Sequence, residues 1–144
     1  MIQTQKPDRR SVLLRNYSAS EGSCECGCGM VVENEMMLRL QAFVFILERI
    51  HGCPVKHIIT SGARCASHNA SVGGAKESQH LSGKAVDGTF HRFIGGQWEQ
   101  LDNGAVANFA RESELFGGVG FLEYHRKGKN LVHLDCREGK VTIW

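Results

Sequence analysis

The apolar positions of this chain change period several times, and each change marks an element. Over NEMMLRLQAFVFILERIHG, the residues Met36, Leu40, Phe43, Leu47 and Ile50 recur at steps of four and three. That spacing lines one face of a helix, so it predicts the main core helix. Asn34 can cap its start, and Gly52 can end it in the left-handed conformation. Cys53 and Pro54 then make a turn, and the short β-branched run VKHIIT (Val55 to Thr60) predicts a strand. GKAVDGTF has strand character too and carries Asp87. A second helix is expected near Asn103 to Phe116, with Ala105, Val106, Phe109 and Ala110 on its apolar side and Gly117 and Gly118 beyond it. The remainder reads as β: VGFLEYH, a turn at RKGKN, then LVHLDC and VTIW. Between the first two strands lies SGARCASHNASVGGAKESQ, a long loop of small and polar residues, and such loops in compact domains are usually functional. Residues 1–20 show no period and read as a loosely ordered lead-in, which leaves residues 21–144 as a single domain. The order predicts an α+β fold, a small antiparallel sheet packed against helices.

Composition narrows the function classes. At 144 residues the chain can bury one real core. Its 42% apolar and 22% charged residues are ordinary for a globular domain. A formal charge of +2, with no basic tract, argues against a nucleic-acid partner. No apolar run is long enough to span a membrane. The first twenty residues lack the apolar stretch and cleavage site of a signal peptide. Synthesis in the cytoplasm is therefore expected, with release depending on another protein. In that compartment the six cysteines read as thiols or metal ligands rather than disulfides.

The stretch ESQHLSGKAVDGTF sets His80 and Asp87 seven positions apart. Both could be solvated loop residues, or both could hold one metal ion. A catalytic zinc takes three protein ligands and leaves a position for water. His133 in LVHLDC is the candidate third ligand, and strand alternation puts His133 and Asp135 on one face with Val132 and Leu134 on the other. Cys24, Cys26 and Cys28 raise a separate question. A second structural metal, completed by Cys65 or Cys53, is conceivable, but structural zinc sites usually leave two to four residues between cysteines and here only one intervenes. A glycine-rich turn with reduced thiols is the favoured reading, with Cys136 in the core.

SQHLSGKAVD fits the pattern S-x-H-x-x-G-x-A-x-D at Ser78, His80, Gly83, Ala85 and Asp87. With SGAR and SHNASVGGA upstream, GGVGF and LVHLD downstream, and CECGCG near the start, the chain resembles the zinc D-alanyl-D-alanine carboxypeptidase and L-alanyl-D-glutamate endopeptidase family. That family cuts peptidoglycan stem peptides. The resemblance implies zinc on His80, Asp87 and His133, with amide hydrolysis as the reaction. It implies that Arg64 grips a substrate carboxylate and that Ser78 bonds substrate or a zinc ligand. His68 and His125 are left over: each reads as a structural or solvated residue, with an oxyanion partner as the alternative, for which His125 is the better placed because it precedes the expected turn. Several members carry an acid three residues before the last histidine, where this chain has Asn130, which cannot be a base. Asp135 is then the first candidate base, although it could instead orient a liganding imidazole. Glu123 is the second, reaching the His133 face only if a hairpin turns around Gly128. The implied protein is a monomer acting on the cell wall, after phage-type release or as part of a virion. The alternative is a zinc-containing module that binds wall peptides without turnover, or a structural domain of a virion.

Overall fold

A computed structural model of the chain describes residues 15–18 and 20–144; most of the expected lead-in thus lies outside the described residues. Among the described residues there are four α-helices and six strands in one mixed, mostly antiparallel sheet, an α+β fold. Helix α1 (Asn34–His51) buries Met36, Met37, Leu40, Phe43, Val44 and Leu47. It ends at Gly52, whose φ of 66° lets its N–H reach the Glu48 carbonyl at 2.8 Å. Two details differ from the periodicity. Glu33, not Asn34, occupies the cap position, with no side-chain bond, and Ile50 is exposed while Met37 and Val44 widen the buried stripe.

Strand β1 (Val55–Ser61) pairs antiparallel with β2 (Ala85–Ile94), and β2 turns through Gly95 and Gly96 into β3 (Gln97–Gln100). Both glycines have positive φ, as a two-residue hairpin that matches strand twist requires. The loop after β1 contains the short helix α2 (Ala66–Ser71) and a 3₁₀ turn (Gln79–Ser82). Helix α3 (Asn103–Ser113) starts at Asp102, whose side chain accepts from the Ala105 N–H at 2.9 Å. Then come β4 (Gly118–Gly120), α4 (Leu122–Arg126), β5 (Val132–Asp135) and β6 (Thr142–Ile143). The sheet order is β1-β2-β5-β4-β6, with β3 beside β2 and the β4–β6 pair parallel.

The C-terminal hairpin expected around Gly128 is not formed. Strand β4 stops at Gly120, which pairs with His133, and Leu122–Arg126 coils into α4. The sequence LEYHR carries no β-branched residue to favour a strand. The freed N–H groups of Phe121 and Leu122 donate instead to the Trp144 carbonyl, at 2.6 and 3.1 Å.

Strand alternation separates a core face from a site face. Val86 and Phe90 of β2 and Val132 and Leu134 of β5 join the α1 side chains in one cluster. Phe43 stands edge-on to both Phe90 and Phe116, with ring centroids 5.3 and 5.4 Å apart. Asp87, His133 and Asp135 occupy the opposite face, and all three are buried. Tyr17 closes one end of the core. Its hydroxyl lies 2.8 Å from Nδ1 of His57, whose ring stacks on Phe90 at 4.0 Å.

Candidate metal centre and cleft

The sheet register builds the centre. Asp87 and His133 are direct cross-strand partners on β2 and β5, so their side chains rise side by side. His133 Nδ1 lies 2.7 Å from Asp87 Oδ1. His80 comes from the 3₁₀ turn, which Ser78 caps by accepting from the His80 N–H at 3.2 Å. His80 Nδ1 is 2.6 Å from the Gly62 carbonyl. A carbonyl only accepts, so Nδ1 carries the hydrogen, and in the neutral ring Nε2 then keeps a lone pair that can hold an ion. That Nε2 is buried, has no hydrogen-bond partner among the described residues, and sits 3.3 Å from Asp87 Oδ2. One ligand atom from each of His80, Asp87 and His133 falls within 4.8 Å of the others.

A second layer fixes these groups. His133 Nε2 lies 2.8 Å from Asp135 Oδ2, and Arg137 grips the same carboxylate with Nε at 2.9 Å and Nη2 at 2.7 Å. Asp135 is fully buried, and a Cβ on Gly118 would run into its carboxylate, so only glycine fits there. Burial pushes the Asp135 carboxyl up, but the hydrogen bonds from His133 and Arg137 outweigh it and hold the group at about 2. Burial also pushes Asp87 up, and the His133 and His80 rings overcome it, keeping that carboxyl well below the usual range. For His133, burial lowers the pKa while Asp135 and Asp87 raise it, and the two acids win.

The centre forms the wall of a cleft of roughly 450 Å³, also lined by Arg64, Ser78, Glu123, Tyr124, Lys127, Lys129 and Trp144. Arg64 is held by Ser61 Oγ at 3.2 Å and Asn69 Oδ1 at 3.3 Å, with Nη2 3.7 Å from Asp87 Oδ2. Glu123 reaches the cleft from α4, not from a strand, and is exposed. Asn130 is turned to a separate depression, where its Oδ1 accepts from Asn103 Nδ2 at 2.6 Å. His125 lines that depression too, against Phe121, and is outside the cleft. His68 lies in α2, 3.9 Å from Glu25.

Three contributors escaped the sequence reading. Tyr124 stacks on His133 at 5.9 Å and puts its hydroxyl 3.4 Å from Nδ1; burial raises its pKa to about 12, which keeps it a donor. Arg137, two residues beyond Asp135, packs over Trp144 at 4.8 Å. Asn69, inside SHNASVGGA, bonds Arg64, the Ala75 carbonyl and, through its own carbonyl, the Gly74 N–H. The order H-x-D-x-R at residues 133–137 was the available signal for Arg137, whereas Tyr124 depended on the unexpected α4.

The cysteines form a second cluster. Sulfurs of Cys24, Cys26, Cys28 and Cys65 all lie within 4.8 Å of one another, which joins the C-x-C-x-C turn to the loop after β1. Cys53 is not in this group, and Cys136 packs beside the core.

Comparison with known proteins adds one result. The sequence model of the family described as peptidase M15 matches residues 15–135, most of the chain. Among curated proteins none matches.

Proposed function

The chain belongs to the peptidase M15 family, and from that premise we propose that it is a zinc-dependent metallopeptidase hydrolysing peptidoglycan stem-peptide amide bonds next to D-amino acids. The observation that carries this reading is the bare, buried Nε2 of His80 converging with Asp87 and His133 on one point. Two imidazoles and one carboxylate, with no fourth ligand among the described residues, suit a zinc site of the open, catalytic kind. An ion held there would supply the Lewis acidity that polarises an amide carbonyl and activates water.

The chain's own groups divide the remaining work. Arg64 offers a planar fork to a substrate carboxylate, and Lys127 and Lys129 add positive charge along the same cleft. Stem peptides are rich in carboxylates. Tyr124 presents a hydroxyl that can donate to oxygen charge developing at the amide. Glu77 and Glu123 both line the cleft without a side-chain hydrogen bond among the described residues; Glu123, on α4 beside the Tyr124 that stacks on His133, is the one we assign to take the proton from water and pass it to the leaving amine. Asp135 has both oxygens engaged and acts by fixing the tautomer and angle of His133. Ser78 shapes the turn that presents His80.

The test is incubation of the zinc-loaded protein with purified peptidoglycan, measuring new amino groups and released D-alanine. Hydrolysis that disappears in His80→Ala, together with the metal, supports the reading. A second reading, a wall-peptide binding module or virion domain without turnover, is favoured by Asn130, which stands where several relatives carry an acid. Metal-loaded protein that binds peptidoglycan and releases nothing would establish it.

A further inference from the structure

We propose that Cys24, Cys26, Cys28 and Cys65 form a second metal site, a closed four-thiolate site for a soft divalent cation such as zinc. The sulfur spacing is the first argument. Cys24 Sγ lies 3.4 Å from Cys26 Sγ, which is 3.6 Å from Cys65 Sγ, and all four sulfurs are mutually within 4.8 Å. Zinc–sulfur bonds of about 2.3 Å in a tetrahedron place the sulfurs about 3.8 Å apart, so the cluster already has nearly the size that an ion requires. A disulfide needs about 2.05 Å, and all six cysteines are free.

Local backbone geometry overcomes the short C-x-C-x-C spacing. The Cys24 carbonyl accepts from the Gly27 N–H at 3.1 Å, and the Cys24 N–H donates to the Met30 carbonyl at 2.8 Å. Gly27 and Gly29 have φ of 80° and 88°, conformations that other residues rarely adopt. This tight, closed loop turns three sulfurs toward one point although single residues separate them. Cys65 comes from a different part of the chain. Its N–H donates to Cys24 Sγ at 3.4 Å, while its own sulfur accepts from the His68 N–H at 3.4 Å. Backbone donors aimed at sulfur favour the anionic form that a metal binds. Four thiolates gathered this closely repel one another unless a cation sits between them.

The site would serve the cleft from behind. Residues 62–65 supply the Gly62 carbonyl to His80 and carry Arg64. The loop holding the three cysteines packs on that segment so closely that a Cβ on Gly62 would strike the Gly22 backbone. An ion bonded to both strands of this contact would lock them together and add its binding energy to folding.

The experiment uses the full chain, purified with zinc under reducing conditions. Native mass spectrometry should find two ions per chain. Cobalt replacement should give the sulfur-to-metal charge-transfer absorption that the His80, Asp87 and His133 donors cannot give. Cys26→Ser with Cys28→Ser should remove that band and one ion. His80→Ala with His133→Ala should remove the other ion and leave the band. In the wild-type protein the exposed Cys26 and Cys28 should resist alkylation until a chelator is added, which decides the matter even if the cysteine variant does not fold. Rapid alkylation in the presence of metal, absence of the sulfur band, or protection that a reductant but not a chelator removes would each overturn the proposal. None of these outcomes depends on peptidase activity.

Discussion

At the scale of single residues, two carboxylates near His133 differ in what surrounds them. Asp135 is fully buried and spends both oxygens on His133 and Arg137. Glu123 is exposed on α4 at the cleft, with no side-chain hydrogen bond among the described residues. A proton acceptor needs an accessible lone pair, so Glu123→Gln should lower turnover by roughly 10²–10⁴-fold while the bound metal stays. Asp135→Asn should instead weaken metal affinity by about 10–100-fold, the usual cost of losing the partner of a liganding imidazole. Kinetics paired with metal titration check both. If Glu123→Gln kept full turnover and Asp135→Asn lost turnover without losing metal, the two roles would be exchanged. Tyr124→Phe keeps the ring stacked on His133 and removes only the donor. The expected loss is roughly 10²-fold in kcat with little change in KM, and unaltered kcat would take Tyr124 out of the reaction.

At the scale of elements, the sequence carried the parts whose periodicity agrees with their burial. Helix α1 follows from steps of three and four, β1 from its β-branched run, and the shared face of His133 and Asp135 from strand alternation. The hairpin signal Gly95-Gly96 was present as well, but the exposed strand Gln97–Gln100 that it introduces has no apolar alternation to announce it. Helix α4 was misread because its neighbours on both sides are strands and because five residues cannot establish a helical period. The cysteine cluster was legible only as an option: Cys65 and Cys53 both stood as the fourth member, and the C-x-C-x-C spacing favoured a turn with reduced thiols, because Cys65 meets the other three only through long-range folding. Asn69 was hidden inside a loop whose residues looked interchangeable. Its buried amide ties Arg64 to the Gly74–Ala75 turn. Asn69→Ala should destabilise the fold by about 1–3 kcal/mol, because the Ala75 carbonyl and one Arg64 arm lose their partner. Arg64 would then be free to swing, so KM for a carboxylate-bearing peptide should rise more than kcat falls. Thermal unfolding and steady-state kinetics read the two effects separately, and unchanged KM would uncouple Asn69 from substrate binding.

At the scale of the whole molecule, one buried histidine links folding to pH. His57 lies in the core between Tyr17 and Phe90, with the Tyr17 hydroxyl 2.8 Å from Nδ1 and, among the described residues, no hydrogen-bond partner for Nε2. Burial, aided by the charge of His91, pushes its pKa down from 6.5 to about 3. The unfolded chain therefore takes up this proton first as pH falls. The stability due to neutral His57 is complete above about pH 6.5 and is lost progressively toward pH 3, by about 1.4 kcal/mol per pH unit for one proton. Other groups also contribute to the pH dependence of stability, so the informative quantity is a difference. His57→Phe keeps an aromatic ring against Phe90 and cannot be protonated. At pH 7.5 it should be less stable than the wild type, because Tyr17 loses its acceptor, by about 1 kcal/mol. Between pH 6.5 and 4.5 the gap should close and then reverse, since only the wild type pays the proton linkage. Urea unfolding of both proteins at matched pH and metal content measures the gap, and contributions from His80, Asp87 and His133 cancel. Two stability curves that stay parallel over this range would show that His57 is not the group coupling this fold to acid.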